Sequence, residues 1–209
     1  MEICHLSFGF KIKFMFPKAF KKLIENFAAL PSIGPKMAER LVLHLFKQDK
    51  EKLQDFSENL LAIQKLGFCR KCFNIAENDL CEICQDTDRN PKIICVVEEP
   101  LDIISIEKTR AFKGLYHVLG GVLSLSREIV PLKIDELVKR ITQEGIAEII
   151  IATNPTTEGD TTALYLKNQI KNLPVRITRL ARGLSTGGDI EYADEITLSS
   201  AFSNRKEIK

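Results

Sequence analysis

Four cysteines near the middle of the chain are the residues whose spacing most directly predicts chemistry. Cys69 and Cys72 form one Cys-x-x-Cys pair, and Cys81 and Cys84 form a second. The two-residue gap lets a tight turn aim both sulfurs at one ion, and two such pairs complete a tetrahedral thiolate shell for zinc. Because protein fills all four positions, no place remains for a catalytic water. The spacing therefore predicts one structural zinc per chain.

Two disulfides or a redox-active pair are the competing interpretations of these thiols. The N-terminal residues show no recognisable export signal, because Glu2, His5, Lys11 and Lys13 interrupt the apolar patches. We therefore expect a cytoplasmic protein in a reducing compartment, which disfavours disulfides. No apolar run approaches the length of about 18 residues that a membrane-spanning helix needs, so no membrane partner is expected.

A second chemical signal lies in residues 30–40, which resemble a helix-hairpin-helix motif. Gly34 stands at the second glycine of that motif, and Ser32 replaces the first. Lys36 and Arg40 are four residues apart, so both project from one face of the following helix. Backbone N–H groups at the start of a helix favour binding of a phosphate. Lysine and arginine side chains beside them would contact the DNA backbone without reading the base sequence. A plain helical turn or a protein–protein interface would fit the same residues.

The charge distribution supports a polyanion-binding N-terminal region. The whole chain of 209 residues carries a net charge of +2, with 44% apolar and 28% charged residues, which is typical of a folded globular protein. The segment from Lys11 to Lys47 contains eight cationic and two anionic residues, so its net charge is +6. The rest of the chain therefore has a net charge of −4. A basic unit on a mildly acidic body fits nucleic acid binding. The alternative is a helix face whose lysines only keep it soluble.

The third signal is a pair of strand ends that resembles the Toprim domain of topoisomerases, primases and related nucleases. That family places a glutamate after its first strand and an Asp-x-Asp after a later one, and these carboxylates hold magnesium. Glu98 matches the glutamate, Asn154 and Thr156 occupy the two aspartate positions, and Glu158 matches the acidic residue that follows. Two carboxylates are therefore replaced by neutral groups, and we expect the scaffold without metal-dependent catalysis.

Helical elements are predicted to position the basic hairpin. Apolar spacing predicts helices over 17–30, from Lys36 to about Gln48, and from Glu51 to about Leu66. The predicted buried faces consist of Phe20, Leu23, Ile24 and Phe27 in the first helix, Met37, Leu41 and Leu45 in the second, and Leu53, Phe56, Leu60 and Ile63 in the third. Three helices with short connections would form a compact N-terminal unit.

A parallel sheet is predicted to position the strand ends. Short apolar runs at 92–98, 115–119, 148–153 and 175–180 alternate with helical patterns at about 100–109, 134–144 and 160–171. Strands that alternate with helices favour a parallel sheet covered by helices. Continuous apolar runs are typical of buried parallel strands, and Cys95 within the first run is expected to be a buried small side chain. A last helix is expected near 195–203.

The order of these features resembles the RecR family of bacterial recombination mediators. The sequence motifs that carry the resemblance include Leu30-Pro-x-x-Gly-Pro-Lys, Ala152-Thr-Asn-Pro-Thr-x-Glu-Gly and Gly187-Gly-x-x-Glu. The expected fold is α+β with several modules. Their predicted extents are a disordered extension over 1–15, a helix-hairpin-helix domain over 16–67, a four-cysteine zinc finger over 68–85, a Toprim domain over 92–187, and a C-terminal tail over 188–209 that packs on the sheet or a neighbouring subunit.

The resemblance also implies a function. RecR proteins are non-catalytic, assemble as ring-shaped tetramers around DNA in the nucleoid, and act with RecO and RecF to place RecA on gapped single strands. Carried over to this chain, Gly34, Lys36 and Arg40 would face DNA, which can be single-stranded, duplex or gapped. The Toprim face with Glu98, Asn154 and Glu158 would contact RecO.

Two other classes of function remain open from the sequence. A magnesium-dependent Toprim nuclease or primase-like enzyme is disfavoured by Asn154 and Thr156. None of the three tyrosines occupies an obvious nucleophile position. A purely protein-binding scaffold is kept open by Ser32, because a side chain at that position weakens the case for close DNA approach.

Overall fold

The computed structural model describes residues 16–123 and 131–207. The chain divides into two compact units after Lys65, and each unit is described by itself. The extension predicted for residues 1–15 lies outside the described residues. In the part of the chain that the structure describes, no helix combines the length and apolar character needed to cross a membrane.

Three helices form the first unit, as the apolar spacing predicted. They are α1 (Lys18–Ala28), α2 (Pro35–Phe46) and α3 (Lys50–Ala62), followed by a single 3₁₀ turn over Ile63–Lys65. Pro35 occupies the first position of α2, where its missing N–H costs no hydrogen bond and its fixed φ suits a helix. The break between α1 and α2 therefore follows from the local sequence.

The core of the first unit is smaller than the apolar spacing predicted. Ile24, Ala38 and Val42 are buried between α1 and α2. The prediction for Met37 was wrong, since its side chain is 52% exposed. The physical reason is that the short connection packs α2 through its small residue Ala38, which allows a close approach of the two helices.

The buried face predicted for α3 was also wrong within the single chain. The residues predicted for this face are all exposed, at 41% for Leu53, 43% for Phe56 and 58% for Leu60 in α3, and 59% for Ile63 in the turn that follows. Apolar periodicity identifies the helix face that favours burial, but it does not show whether another element of the same chain packs against that face. An uncovered apolar helix face of this size is unusual for a monomer.

The second unit begins with a small cysteine-rich module. Strands β1 (Gly67–Phe68) and β2 (Ile75–Ala76) pair antiparallel, and the one-turn helix α4 (Glu82–Gln85) follows. This module joins the edge of the main sheet through the backbone, because the Val118 N–H donates to the Cys72 carbonyl at 2.8 Å. It therefore covers one strand edge that would otherwise be open.

A four-stranded parallel sheet forms the body of the second unit, as predicted. Its strands are β3 (Asn90–Val97), β4 (Gly114–Val118), β5 (Glu148–Ile151) and β6 (Arg176–Arg179), in the order β4-β3-β5-β6. The helices are α5 (Pro100–Lys108), α6 (Ile134–Glu144), α7 (Thr157–Ile170) and α8 (Glu195–Ser203). All the predicted strands and helices of this region are present. The central strands β3 and β5 leave continuous apolar runs because they are largely buried, whereas the edge strand β6 is exposed at both ends.

Two apolar clusters cover the two faces of this sheet. One packs β3 and β5 against α6 and α7, with Leu137, Ile149 and Leu166 fully buried. The other holds Cys95, 2% exposed as predicted, with Tyr116 and the partly buried Phe73 of the cysteine module. The α+β organisation in several modules is thereby confirmed, and the carboxyl ends of β3 and β5 lie side by side.

Candidate functional sites

The four predicted zinc ligands meet at one point. The Sγ atoms of Cys69, Cys72, Cys81 and Cys84 all lie within 4.8 Å of one another, and the first three side chains are buried. All four thiols are free of disulfides. A tetrahedral zinc with Zn–S bonds of about 2.3 Å separates its sulfurs by about 3.8 Å, so the cluster matches that ion.

Tight backbone turns aim these thiols. The Phe73 N–H donates to the Cys69 carbonyl at 2.9 Å, and Phe73 adopts a left-handed φ of 62° to close the turn. Cys81 caps α4, and the Cys84 N–H donates to its carbonyl at 3.0 Å. Hydrogen bonds from Cys72 and Cys84 lower the pKa of Cys81, whereas the hydrogen bond with Cys81 raises the pKa of Cys72. Zinc binds thiolates, so binding of one structural ion would displace the protons that these neighbouring thiols share.

The predicted basic hairpin lies between α1 and α2. Ser32 has a φ of 63°, so the position where the motif has its first glycine does require the left-handed conformation. Gly34 is the N-cap of α2, with φ −79° and ψ 164°. Lys36 and Arg40 are both exposed on the helix that follows.

Neither the backbone conformation nor the packing inside the chain requires a glycine at position 34. Its φ is negative, and a Cβ atom added there would meet nothing within 4 Å in the structure. The missing side chain therefore leaves open space in front of the first turn of α2. Pro35 has no N–H and the Met37 N–H donates to the Gly34 carbonyl at 3.0 Å, so the Lys36 backbone N–H is the donor left for an anion at this helix start, beside the side chains of Lys36 and Arg40.

Glu98 and Asn154 meet at the carboxyl ends of β3 and β5, as the strand order requires. Glu98 is only 7% exposed. The Asn154 backbone N–H donates to Glu98 Oε1 at 2.7 Å, and its side-chain amide donates to Oε2 at 2.5 Å. Both carboxylate oxygens thus accept hydrogen bonds from the residue that stands where the Toprim family has an aspartate.

The loop after β5 is packed tightly against this pair. A Cβ atom on Gly159 would lie 2.2 Å from the Asn154 carbonyl and 2.9 Å from Glu98 Oε1. Thr156 caps α7 and accepts a hydrogen bond from the Gly159 N–H at 3.0 Å. Glu158 is exposed in the first turn of α7, and its carboxylate has no hydrogen bond or ion pair among the described residues. The structure therefore unites Glu98 with Asn154 but leaves Glu158 apart.

One charged group beside this loop escaped the sequence analysis. Asp160 accepts hydrogen bonds from Arg182 and from Arg179, the latter at 2.6 Å. The Arg182 guanidinium, with that of Arg179, lowers the pKa of Asp160 to about 2. The available signal was the pair of arginines at the end of the last strand, with Arg179 as its final residue and Arg182 three residues later, because strand ends of a parallel sheet share one edge.

Four protein-family models match successive segments of the chain. The match for residues 20–63 is described as "RecR, helix-hairpin-helix", and that for 66–86 as "RecR, Cys4-zinc finger domain". A Toprim domain matches 92–181, and "RecR, C-terminal" matches 183–206. A helix-hairpin-helix unit, a structural zinc finger and a Toprim domain in one chain define a protein of DNA recombination and repair.

Curated relatives cover nearly the whole chain. "Recombination protein RecR" of Chloroflexus aggregans is 49% identical over 190 residues, covering 90% of this chain and 93% of the relative. The same-named proteins of Herpetosiphon aurantiacus and Rubrobacter xylanophilus are 46% and 45% identical, covering 97% and 92% of this chain and 100% and 98% of those relatives. The chain belongs to the RecR family.

Proposed function

We propose that this chain is a non-catalytic, DNA-binding recombination mediator that acts with RecO and RecF to promote RecA loading at gaps. The observation that carries the proposal is the basic hairpin of the RecR helix-hairpin-helix domain. There, the exposed Lys36 and Arg40 flank the uncovered helix start at Gly34.

DNA contact through this hairpin would be independent of sequence. A phosphate would approach the first turn of α2 over Gly34, where no side chain blocks it. Lys36 and Arg40 would each neutralise about one phosphate. No aromatic or amide side chain accompanies them on the first turn, so phosphate contacts would fix position without reading bases.

The absence of catalysis is proposed from the contacts of Glu98. Toprim chemistry needs several carboxylates around a divalent cation, whereas both Glu98 oxygens here accept hydrogen bonds from Asn154. Neutral amide and hydroxyl groups at Asn154 and Thr156 supply no charge for a hard ion. The contact favours a structural role for this pair over a magnesium-dependent nuclease or primase.

We further propose assembly as a ring-shaped tetramer around DNA. The exposed apolar face of α3 supports one contact between copies, and the C-terminal region supports a second. In that region Ile190, Tyr192, Ile196 and Phe202 are between 66% and 82% exposed. Two separate self-contacts per chain allow a ring to close, and a closed ring would retain DNA topologically.

RecO is the partner proposed for the Toprim face. Glu158 would make the contact, since its carboxylate is exposed and is unpaired among the residues described. Glu98 is buried and would act by holding Asn154, which is exposed, in position. The proposal for Glu98 is therefore a positioning role in the partner face.

Solution mass measured with and without a gapped duplex tests these proposals together. We expect a multimer that binds the gapped duplex and leaves it uncut in the presence of magnesium or manganese. Nicking that copurifies with the protein and disappears in Glu98→Ala would establish the enzyme instead. A chain that forms multimers without binding DNA would be a protein-binding scaffold.

A further inference from the structure

An open apolar groove lies between the cysteine module and helix α5. Its volume is about 710 Å³, within the range of about 300–1,000 Å³ of ligand-binding sites. One wall is formed by Ile75 and Ile83 of the cysteine module, and the other by Leu101 and Ile104 of α5. Ile75, Leu101 and Ile104 are 49%, 70% and 51% exposed.

Ile75 and Ile83 also line a second depression, of about 560 Å³, on the outer side of the cysteine module. Glu77, Asn78 and Glu82 line that second depression as well, so it is more polar than the groove. Phe68, the strand partner of Ile75, is 72% exposed. A contiguous apolar surface of this kind marks an interaction site more often than a chance exposure.

Cations stand at one end of the groove. Lys108 and Arg110 line it, and both are exposed. Neither has an ion pair or a side-chain hydrogen bond within residues 16–123 and 131–207. The nearby carboxylate of Glu107 does not neutralise them, because Arg89 and the Tyr116 hydroxyl donate to it. The groove therefore pairs an apolar floor with two available positive charges.

The backbone at Arg110 adds an independent observation. Arg110 follows the C-cap of α5 and has a φ of 55°, in the left-handed region. Glycine, and to a lesser degree asparagine, is preferred at this position after a helix, because other side chains are strained there. An arginine that is strained and unpaired contributes nothing evident to folding, which points to a ligand as its partner.

We propose that this groove binds a peptide segment of a partner protein that carries two large apolar side chains followed by a carboxylate. The apolar side chains fill the space between Ile75 and Ile104. The carboxylate pairs with Lys108 and Arg110. Nucleic acid does not suit the groove, because the two cations lie at one end and the apolar walls offer the other phosphates no partner. The charge at one end selects an acidic segment over a neutral one and fixes its direction.

Selection from a library of random 12-residue peptides displayed on phage tests the proposal with the full chain as bait. We expect selected peptides to combine at least two large apolar residues with an Asp or Glu on one side of them. Binding of a selected synthetic peptide is then measured by fluorescence anisotropy. Selected peptides that are basic, or a library that yields no binder, would overturn the proposal.

Variants locate the bound peptide. Ile104→Ser should weaken binding at least tenfold. Leu164→Ser, which changes an exposed apolar side chain on α7, should leave binding unchanged. Lys108→Glu with Arg110→Glu should weaken binding tenfold or more, and a peptide whose acidic residue is replaced by Lys should bind this variant better than the wild type. Lys139→Glu, an exposed cation on α6, is the control for charge.

Arg110→Gly separates a ligand role from a structural one. It should weaken peptide binding while the melting temperature stays equal or rises, because glycine relieves the left-handed strain. A large loss of stability with unchanged peptide binding would overturn the proposal. A second copy of the chain in the groove would also overturn it, and would appear as a lower solution mass for Ile104→Ser. DNA binding and zinc content should be unchanged in all these variants, so failure here leaves the proposed function standing.

Discussion

At the scale of single residues, the contact between Glu98 and Asn154 decides what the Toprim scaffold can do. The backbone N–H and the side-chain amide of Asn154 each donate one hydrogen bond to a carboxylate that is nearly buried. A charged acceptor of this kind is stabilised by such donors and strongly destabilised when they are removed. Carboxylates at both positions 98 and 154 would repel each other if no cation lay between them.

Asn154→Asp tests this contact. We expect the variant to be about 1–3 kcal/mol less stable at pH 8, because a second carboxylate would face Glu98 in place of a donor. The repulsion raises the pKa of one carboxyl, so the loss should shrink as the pH falls below that raised pKa. Magnesium should also reduce the loss. Thermal denaturation at pH 8 and pH 5, with and without magnesium chloride, measures this.

The control for that change is Asn172→Asp, which introduces the same charge at an exposed position. It should show neither the pH dependence nor the magnesium response. An Asn154→Asp variant as stable as the wild type at pH 8 without magnesium would mean that the contact with Glu98 contributes little.

Ser32 is the other residue whose conformation leads to a prediction. Its φ of 63° places a side chain where glycine is preferred. Ser32→Gly should therefore stabilise the helical unit by up to about 1 kcal/mol, through relief of left-handed strain. Chemical denaturation followed by circular dichroism checks the gain. A destabilised variant would show that the serine hydroxyl matters more than the backbone strain.

At the scale of elements, the cysteine module and the sheet edge depend on each other. The module holds the edge of β4 through the hydrogen bond from the Val118 N–H to the Cys72 carbonyl. The module itself has almost no apolar core beyond its cysteines. Zinc binding supplies about 10–16 kcal/mol in comparable modules, so removal of the ion should unfold it.

Cys72→Ser should therefore lower zinc content well below one ion per chain and expose β4. Metal analysis and hydrogen exchange monitored by mass spectrometry measure the two effects, with loss of protection expected across residues 114–118. Cys95→Ser is the matched control, since that thiol is buried in β3 and is not a zinc ligand. Full protection of β4 in a zinc-free variant would contradict the dependence.

Helix α3 is an element whose apolar face lacks a partner in the single chain. If a second copy covers it, Phe56→Ser with Leu60→Ser should weaken association about tenfold or more. Sedimentation equilibrium should then show a smaller species at the same concentration. Leu101→Ser, at a more exposed leucine on α5, should leave the mass unchanged. An unchanged mass in the double variant would mean that α3 is not an assembly contact.

At the scale of the whole molecule, DNA affinity should follow the number of basic hairpins that touch one duplex. On duplex DNA, each lost phosphate contact flattens the salt dependence of log K by about 0.9. Lys36→Ala with Arg40→Ala should therefore flatten it by about 1.8 per chain, and by more in a multimer. The loss should be nearly uniform across DNA sequences, because phosphates carry no base information. Folding should survive, since both side chains are exposed.

Binding titrations at several salt concentrations measure this slope. Lys47→Ala, at the far end of α2, should have a smaller effect. If the double variant bound normally while Lys47→Ala weakened binding, the hairpin would not be the DNA site. The helical unit would then serve assembly alone.

The sequence by itself determined the local features of this protein. Cys-x-x-Cys spacing defined the zinc ligands, because ligand geometry is local to two tight turns. Apolar runs located the central strands β3 and β5, because parallel strands that are largely buried leave a continuous signal, whereas the edge strand β6 alternates apolar with polar residues. The break at Pro35 also follows from local backbone chemistry, whereas the left-handed φ of Ser32 came from the structure.

Only the tertiary structure decided which side chains meet and which faces remain uncovered. The pairing of Glu98 with Asn154 joins residues 56 positions apart, and it depends on β3 and β5 being neighbours in the sheet. The exposure of α3 and the groove beside α5 depend on what the rest of the chain fails to cover. Periodicity records a residue's preference for burial, whereas packing between distant elements decides whether that preference is met.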